Sequence, residues 1–229
     1  LKLWFPNPHN IASETIRASP VGKWLQWAVA LPAQMWQDKS NIMIRMSSDM
    51  SDFSARRVMM VDTQVRPSDV TKFPIIEAML AIPREAYVPE ALQEAAYMGG
   101  NLDLGGRVQL EARTLAKMLD ALDVLPSDSV LDLAVGLGYS SAVIARMAKS
   151  VVGVEPLAEM AAAASQILAA QGIANAAVQT SVPAGLFDVI LIEGGVQEVP
   201  ESLLAQLAEG IVDKMKSAPR FVSLSILNL

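Results

Sequence analysis

In the second half of the chain, short apolar runs alternate with stretches of helical spacing. Residues 130–133 (VLDL), 151–155 (VVGVE), 176–180 (AAVQT) and 187–192 (FDVILI) read as strands. Between them 140–149 and 157–171 read as helices; 200–209 follows as a helix and 221–227 as a fifth strand. This alternation predicts an α/β fold, a doubly wound, mostly parallel sheet with right-handed crossovers.

Upstream the rhythm is helical throughout. Leu115, Met118, Leu119 and Leu122 recur on one face of an amphipathic helix over 111–122. Shorter helices are expected over 53–61, 75–81 and 90–98, with Pro74 in a first turn and Pro83 as a stop. Arg66-Pro67-Ser68 reads as a turn in which Ser68 caps the next helix. Gly99-Gly100 and Gly105-Gly106 bracket an irregular loop. Residues 1–49 differ: they hold all four tryptophans and the single histidine, His9, with weak periodicity. Met50 then opens a stretch that reads like a natural start. Three zones are expected: an extension over 1–49, a helical substrate-side region over 50–125 and an α/β domain over 126–229.

Composition narrows the function. With 229 residues, 52% of them apolar, the chain can bury a full core. A net charge of -6 gives no general basic footprint for nucleic acid. The absence of cysteine removes disulfides, thiolate metal sites and a cysteine nucleophile, and one histidine makes a histidine-rich metal centre untenable. No metal is expected. No apolar run approaches the roughly 18–20 residues of a membrane span. With no export signal read, the expectation is a cytoplasmic protein without a membrane partner, of unspecified oligomeric state.

The chemistry concentrates in 130–155, where strand, small-residue turn, helix and strand end on an acid. Gly136 and Gly138 permit positive φ and close approach of a ligand, and the helix beginning near Tyr139 supplies free N–H groups. Glu155, nineteen residues after Gly136, can accept both hydroxyls of a ribose. Asp132, one residue from the first strand's end, is a candidate partner for a ligand ammonium. A dinucleotide fingerprint needs a glycine three residues after Gly138, where Ser141 stands, so the turn favours S-adenosylmethionine. Glu193, in Glu193-Gly194-Gly195, closes another strand at its carboxyl end, where it can meet substrate. Arg56, Arg57, Arg66, Arg84 and Arg107 are read as solvated or ion-paired, any of them able to hold a carboxylate bidentately. Met59, Met60, Met79, Met118 and Met147 are expected to fill the core.

These elements together resemble the protein-L-isoaspartate O-methyltransferase family over about 160 of the 229 residues. IPREAYVPE (82–90), AAYMGGNLDLGG (95–106), RTLAKMLDAL (113–122), VLDLAVGLGYSSAVIARMA (130–148), FDVILIEGG (187–195) and VPESLLAQLAEG (199–210) carry the likeness in order and spacing. The resemblance implies a class I methyltransferase sheet, Rossmann-like, with incomplete C-terminal strands. It also implies methyl transfer from S-adenosylmethionine to the carboxyl group of L-isoaspartyl residues in damaged proteins. Asp132, Ala134, Gly136, Gly138, Tyr139 and Glu155 would hold the cofactor, and the 101–110 loop with Leu110 and Glu193 would face the substrate. No catalytic acid or base is assigned.

Several positions depart from the family. Its reacting-centre serine and the following proline fall on Leu110 and Ala112. Its Gly-Asp pair after the third strand is replaced by the shortened run 180–185. Its first turn glycine is Ala134, which suits the turn only with a negative φ. Residues 211–229 do not match. The alternative reading is therefore a relative that binds the cofactor without turnover.

Overall fold

A computed structural model of the chain describes residues 52–195, 198–207 and 221–223. The expectations for 1–49, 208–209 and 224–227 fall outside the described residues. All described residues belong to one unit, Asp52–Leu229.

The chain enters through helix α1 (residues 52–60), which widens into a π-helical turn at Val61–Val65 and tightens into a 3-10 turn at Arg66–Ser68. Ser68 does not cap the next helix. Its hydroxyl donates back to the Gln64 carbonyl at 2.7 Å, a local bond that competes with capping. Helix α2 (Phe73–Ala81) carries Pro74 in its first turn and ends before Pro83. Two 3-10 turns follow, Arg84–Tyr87 and Glu90–Ala95. The expected helix over 90–98 is thus realised with shorter-span bonds such as Leu92 N–H to Pro89 O.

The glycine-bracketed loop is more ordered than its composition suggests. Strands β1 (Leu102–Asp103) and β2 (Val108–Gln109) pair antiparallel, and Gly105 and Gly106 make the turn at φ 79° and 101°. Helix α3 (Ala112–Leu122) then buries Leu115, Met118, Leu119 and Leu122, each worth roughly 1.5–3 kcal/mol on burial.

The alternating half forms β3 (Ser129–Leu133), α4 (Tyr139–Ala145), β4 (Ser150–Val154), α5 (Ala158–Ala170), β5 (Ala176–Gln179), β6 (Val189–Ile192), α6 (Glu201–Leu204) and β7 (Phe221–Ser223). The strands lie in the order β5-β4-β3-β6-β7, and every pair is parallel. Connections run outward on one side of β3 and then return to its other side. That reversal opens a crevice beyond the carboxyl ends of β3 and β6, the general ligand position in such sheets.

One core joins the helical region to the sheet: Met60, Met79, Tyr87, Leu119, Ile144 and Val189 belong to the same buried cluster. Met60, Met79, Met118 and Met147 are buried as expected, whereas Met59 is exposed.

Candidate functional site

After β3 the chain turns through Ala134, Gly136 and Gly138 at φ 64°, 55° and 88° and enters α4. Ala134 is left-handed, so the negative φ under which an alanine would suit this turn is not met. Its N–H bonds Val154 O at 2.8 Å, and the left-handed conformation carries a steric cost of about 1 kcal/mol. A Cβ on Gly136 would sit 3.3 Å from Leu104 Cδ1, so glycine lets the β1–β2 hairpin close over the turn. Tyr139 turns its ring into the core, edge-on to Tyr87 at 5.8 Å, and offers the turn only its main chain.

Glu155 follows β4 and is completely buried. Its Oε2 accepts the Gly136 N–H at 3.1 Å and its Oε1 the Leu157 N–H at 3.0 Å, which fixes the carboxylate at the mouth of the glycine turn. Arg107 joins them with one N–H shared between the two oxygens, its Nε 3.1 and 2.9 Å away. That single N–H covers the edge of the carboxylate between its two oxygens. Glu155, expected from the sequence to take a ribose, is instead paired with a guanidinium from the hairpin. Beside it lies a cavity of about 390 Å³ lined by Leu104, Gly105, Leu137, Leu157, Ala158 and Met160. Pro89 and Glu159 complete its lining, and Leu157, whose N–H bonds Glu155, links the cavity to the carboxylate.

The second acidic feature lies deeper. Asp132 is fully buried, and its Oδ2 accepts both Ser140 Oγ at 2.6 Å and Ser141 Oγ at 2.7 Å. Gly153 makes room for this: a Cβ there would lie 2.9 Å from Ser141 Oγ. Glu193 follows β6, with its N–H on Leu133 O, and so its carboxyl reaches Asp132. Asp132 Oδ1 and Glu193 Oε1 are both buried without an ordinary donor. Two carboxyls that hydrogen-bond each other must share a proton. Burial raises Asp132 to about 6 and, with the Asp132 charge, pushes Glu193 well above the usual carboxylate range. Although Glu193 is half-buried as a residue, its carboxyl is directed at Asp132 inside the fold.

This pair sets a pH dependence. Native-state carboxyls with raised pKa hold protons that the unfolded chain gives up, so stability is greatest below about pH 4 for these groups and falls as pH rises through about 6. The Asp132 contribution is on the order of 2–3 kcal/mol. Glu193→Gln, whose amide can donate to Asp132, is expected to flatten the fall. Urea unfolding at pH 5 and pH 8 reads it: wild type loses stability between the two, and the variant loses markedly less.

Leu110 is buried at the hairpin's exit and presents no hydroxyl. Its carbonyl accepts Arg84 Nη2 at 2.7 Å, while Arg84 Nε donates to Ala96 O at 2.7 Å. Arg84 Nη1 reaches Gln109 Oε1 at 3.2 Å when that amide is oriented to satisfy both its ends, its nitrogen donating to Tyr87 O. The guanidinium also lies 4.8 Å over the Tyr139 ring. Arg84 is therefore neither solvated nor on the surface, contrary to expectation. Arg56, Arg57 and Arg66 do follow it, pairing with Asp52 and Glu94, with Glu85, and with Asp62. Asp188 lies at the opposite end of its strand, accepting the Ser129 N–H, away from the crevice.

The family model for protein-L-isoaspartate(D-aspartate) O-methyltransferase matches residues 56–212. The chain belongs to this family. It is 36% identical over 170 residues to the protein-L-isoaspartate O-methyltransferase of Methylorubrum extorquens (strain PA1), covering 70% of this chain and 73% of that protein. The Syntrophus aciditrophicus (strain SB) protein of the same name is 35% identical over 168 residues, with 70% and 77% covered. A solved protein-L-isoaspartate O-methyltransferase superposes with a TM-score of 0.59 at 25% identity, covering 69% of this chain; the chain spans 53% of that protein. A Plasmodium falciparum relative solved with S-adenosyl-L-homocysteine shares the fold at a TM-score of 0.57 and 19% identity, with 67% and 80% covered. The doubly wound methyltransferase sheet read from the sequence is thus the fold of this chain, and its activity class is that of an isoaspartate O-methyltransferase.

Proposed function

We propose that the chain transfers a methyl group from S-adenosylmethionine to the free carboxyl of L-isoaspartyl residues in damaged proteins and peptides. The observation that carries the residue-level reading is Glu155, buried and pinned by the Gly136 and Leu157 N–H groups beside a nucleoside-sized cavity. When bound, S-adenosylmethionine supplies a sulfonium methyl that is open to attack by an oxygen nucleophile. Glu155 is the group that receives the ribose diol, and the glycine turn lets the main chain approach the ligand closely. Asp132 and Glu193, holding one proton between them, place net negative charge at the carboxyl ends of β3 and β6. That charge favours a cationic ligand in the crevice.

The substrate carboxylate is already a nucleophile at neutral pH, so this chain needs no general base. Its tasks are to hold the carboxylate in line and to exclude water. The test is transfer of labelled methyl to an isoaspartyl peptide beside its aspartyl isomer. Base-labile label on the isoaspartyl peptide alone is expected; label on both peptides, or on neither, contradicts the proposal.

A second reading, cofactor binding without turnover, is favoured by one observation. Leu110 puts a buried alkyl chain where the family's reacting-centre hydroxyl falls, and its carbonyl is committed to Arg84. Binding of S-adenosylmethionine with no transfer to either peptide would establish it.

A further inference from the structure

The hairpin side chain that fills the ribose seat has a second use. We infer that Arg107 is the receptor for the substrate carboxylate, released for that role only when the cofactor's ribose replaces it on Glu155, so that binding is ordered with cofactor first. This rests on the cofactor reading above and deepens it.

The geometry requires an exchange. Both oxygens of Glu155 already accept one main-chain N–H each, and the Arg107 Nε bridges the two at 2.9 and 3.1 Å. That one N–H lies between the two oxygens, on the edge from which a diol would bridge them, so the diol takes both oxygens only when Arg107 leaves. The leaving group is mobile enough to do so. Its side chain is 30% exposed, while that of Glu155 is completely buried, so the acid stays and the guanidinium moves. Arg107 lies in the bend between Gly106 and the two-residue strand β2, and its side chain's other hydrogen bond is a 3.3 Å one to the Gly106 carbonyl.

A guanidinium displaced from a buried carboxylate needs a new anion. Asp103 and Glu159 at the rim are exposed, and Asp103 Oδ1 already accepts the Gly105 N–H at 2.8 Å. The substrate's carboxylate is the partner that Arg107 matches bidentately. Leu110, three residues further along the same hairpin, offers that carboxylate no hydroxyl, so a donor must come from elsewhere. Before the ribose arrives, Arg107 is neutralised by Glu155 and a carboxylate entering the crevice meets no free cation there.

The test is titration calorimetry of the full chain with S-adenosylhomocysteine and with an isoaspartyl peptide, joined to steady-state kinetics. In wild type the peptide is expected to bind in the presence of S-adenosylhomocysteine and at least about tenfold more weakly without it. Arg107→Ala is expected to bind S-adenosylhomocysteine about tenfold more tightly, yet to raise the peptide KM about tenfold or more, with Arg107→Lys between the two. Opposite shifts for the two ligands separate this role from structural damage, which weakens both. Equal peptide binding with and without S-adenosylhomocysteine, or weaker S-adenosylhomocysteine binding in Arg107→Ala, overturns the inference while leaving the cofactor reading intact. Failure of wild type to bind S-adenosylhomocysteine removes the cofactor reading and the inference with it.

Discussion

Glu155→Ala is expected to abolish measurable S-adenosylmethionine binding, a loss of at least about 100-fold, and to destabilise the fold by about 3 kcal/mol or more. Both effects have one cause. The carboxylate joins four parts of the structure: the end of β4, the glycine turn through the Gly136 N–H, the start of α5 through the Leu157 N–H, and the hairpin through Arg107. Removing it leaves two main-chain donors and a partly buried guanidinium without their acceptor, each costing roughly 1–3 kcal/mol where water cannot reach. Cofactor affinity falls as well, because the acceptor for the ribose diol is gone. Glu155→Gln keeps the volume and one acceptor oxygen, so it should recover much of the stability but little of the binding. Calorimetric titration and urea unfolding measure the two effects separately. Binding by Glu155→Ala within threefold of wild type would contradict the assignment.

The other large effect is expected at Arg84, a fully buried guanidinium. Arg84→Ala should cost about 3–5 kcal/mol, read as a lower urea midpoint with an unchanged slope. The side chain is fully buried and holds the carbonyls of Ala96 and Leu110 together, with Gln109 as a third partner. Truncation orphans these acceptors and opens a cavity between the 3-10 turns, the hairpin exit and Tyr139. Arg84→Lys keeps the charge but cannot span both carbonyls, because an ammonium lacks the planar fork. It should recover less than half of the loss. A cost below about 1 kcal/mol for Arg84→Ala would show that the hairpin is held by something else.

What the sequence disclosed and what it concealed divide by the range of the interaction. The strand–turn–helix–strand unit, the positive-φ glycines and the acid after β4 follow from local pattern, and the structure puts Gly136, Gly138 and Glu155 at one place. Local pattern also gave the face of α3, where Leu115, Leu119 and Leu122 are all buried. Contacts between distant segments were not legible. Arg107 lies 48 residues before Glu155, in a glycine-rich stretch with no periodicity to orient it. The pattern placed Glu193 at its strand's carboxyl end beside the first strand's turn, as the β3–β6 pairing has it, but not that its carboxyl turns inward onto Asp132. Arg84 read as a surface charge because arginine usually is one. The signal available was its setting, between Pro83 and the buried Tyr87, where the nearest polar partners are carbonyls. At Ala134 the sequence showed only that an alanine stands where a glycine would be at ease; the structure holds it left-handed all the same, with its N–H on Val154 O.

The most direct test is a crystal structure of the chain with S-adenosylhomocysteine. It should show the ribose hydroxyls on both oxygens of Glu155 and Arg107 withdrawn from them. A nucleoside bound elsewhere, or one held at that turn while Arg107 keeps both oxygens, would contradict it.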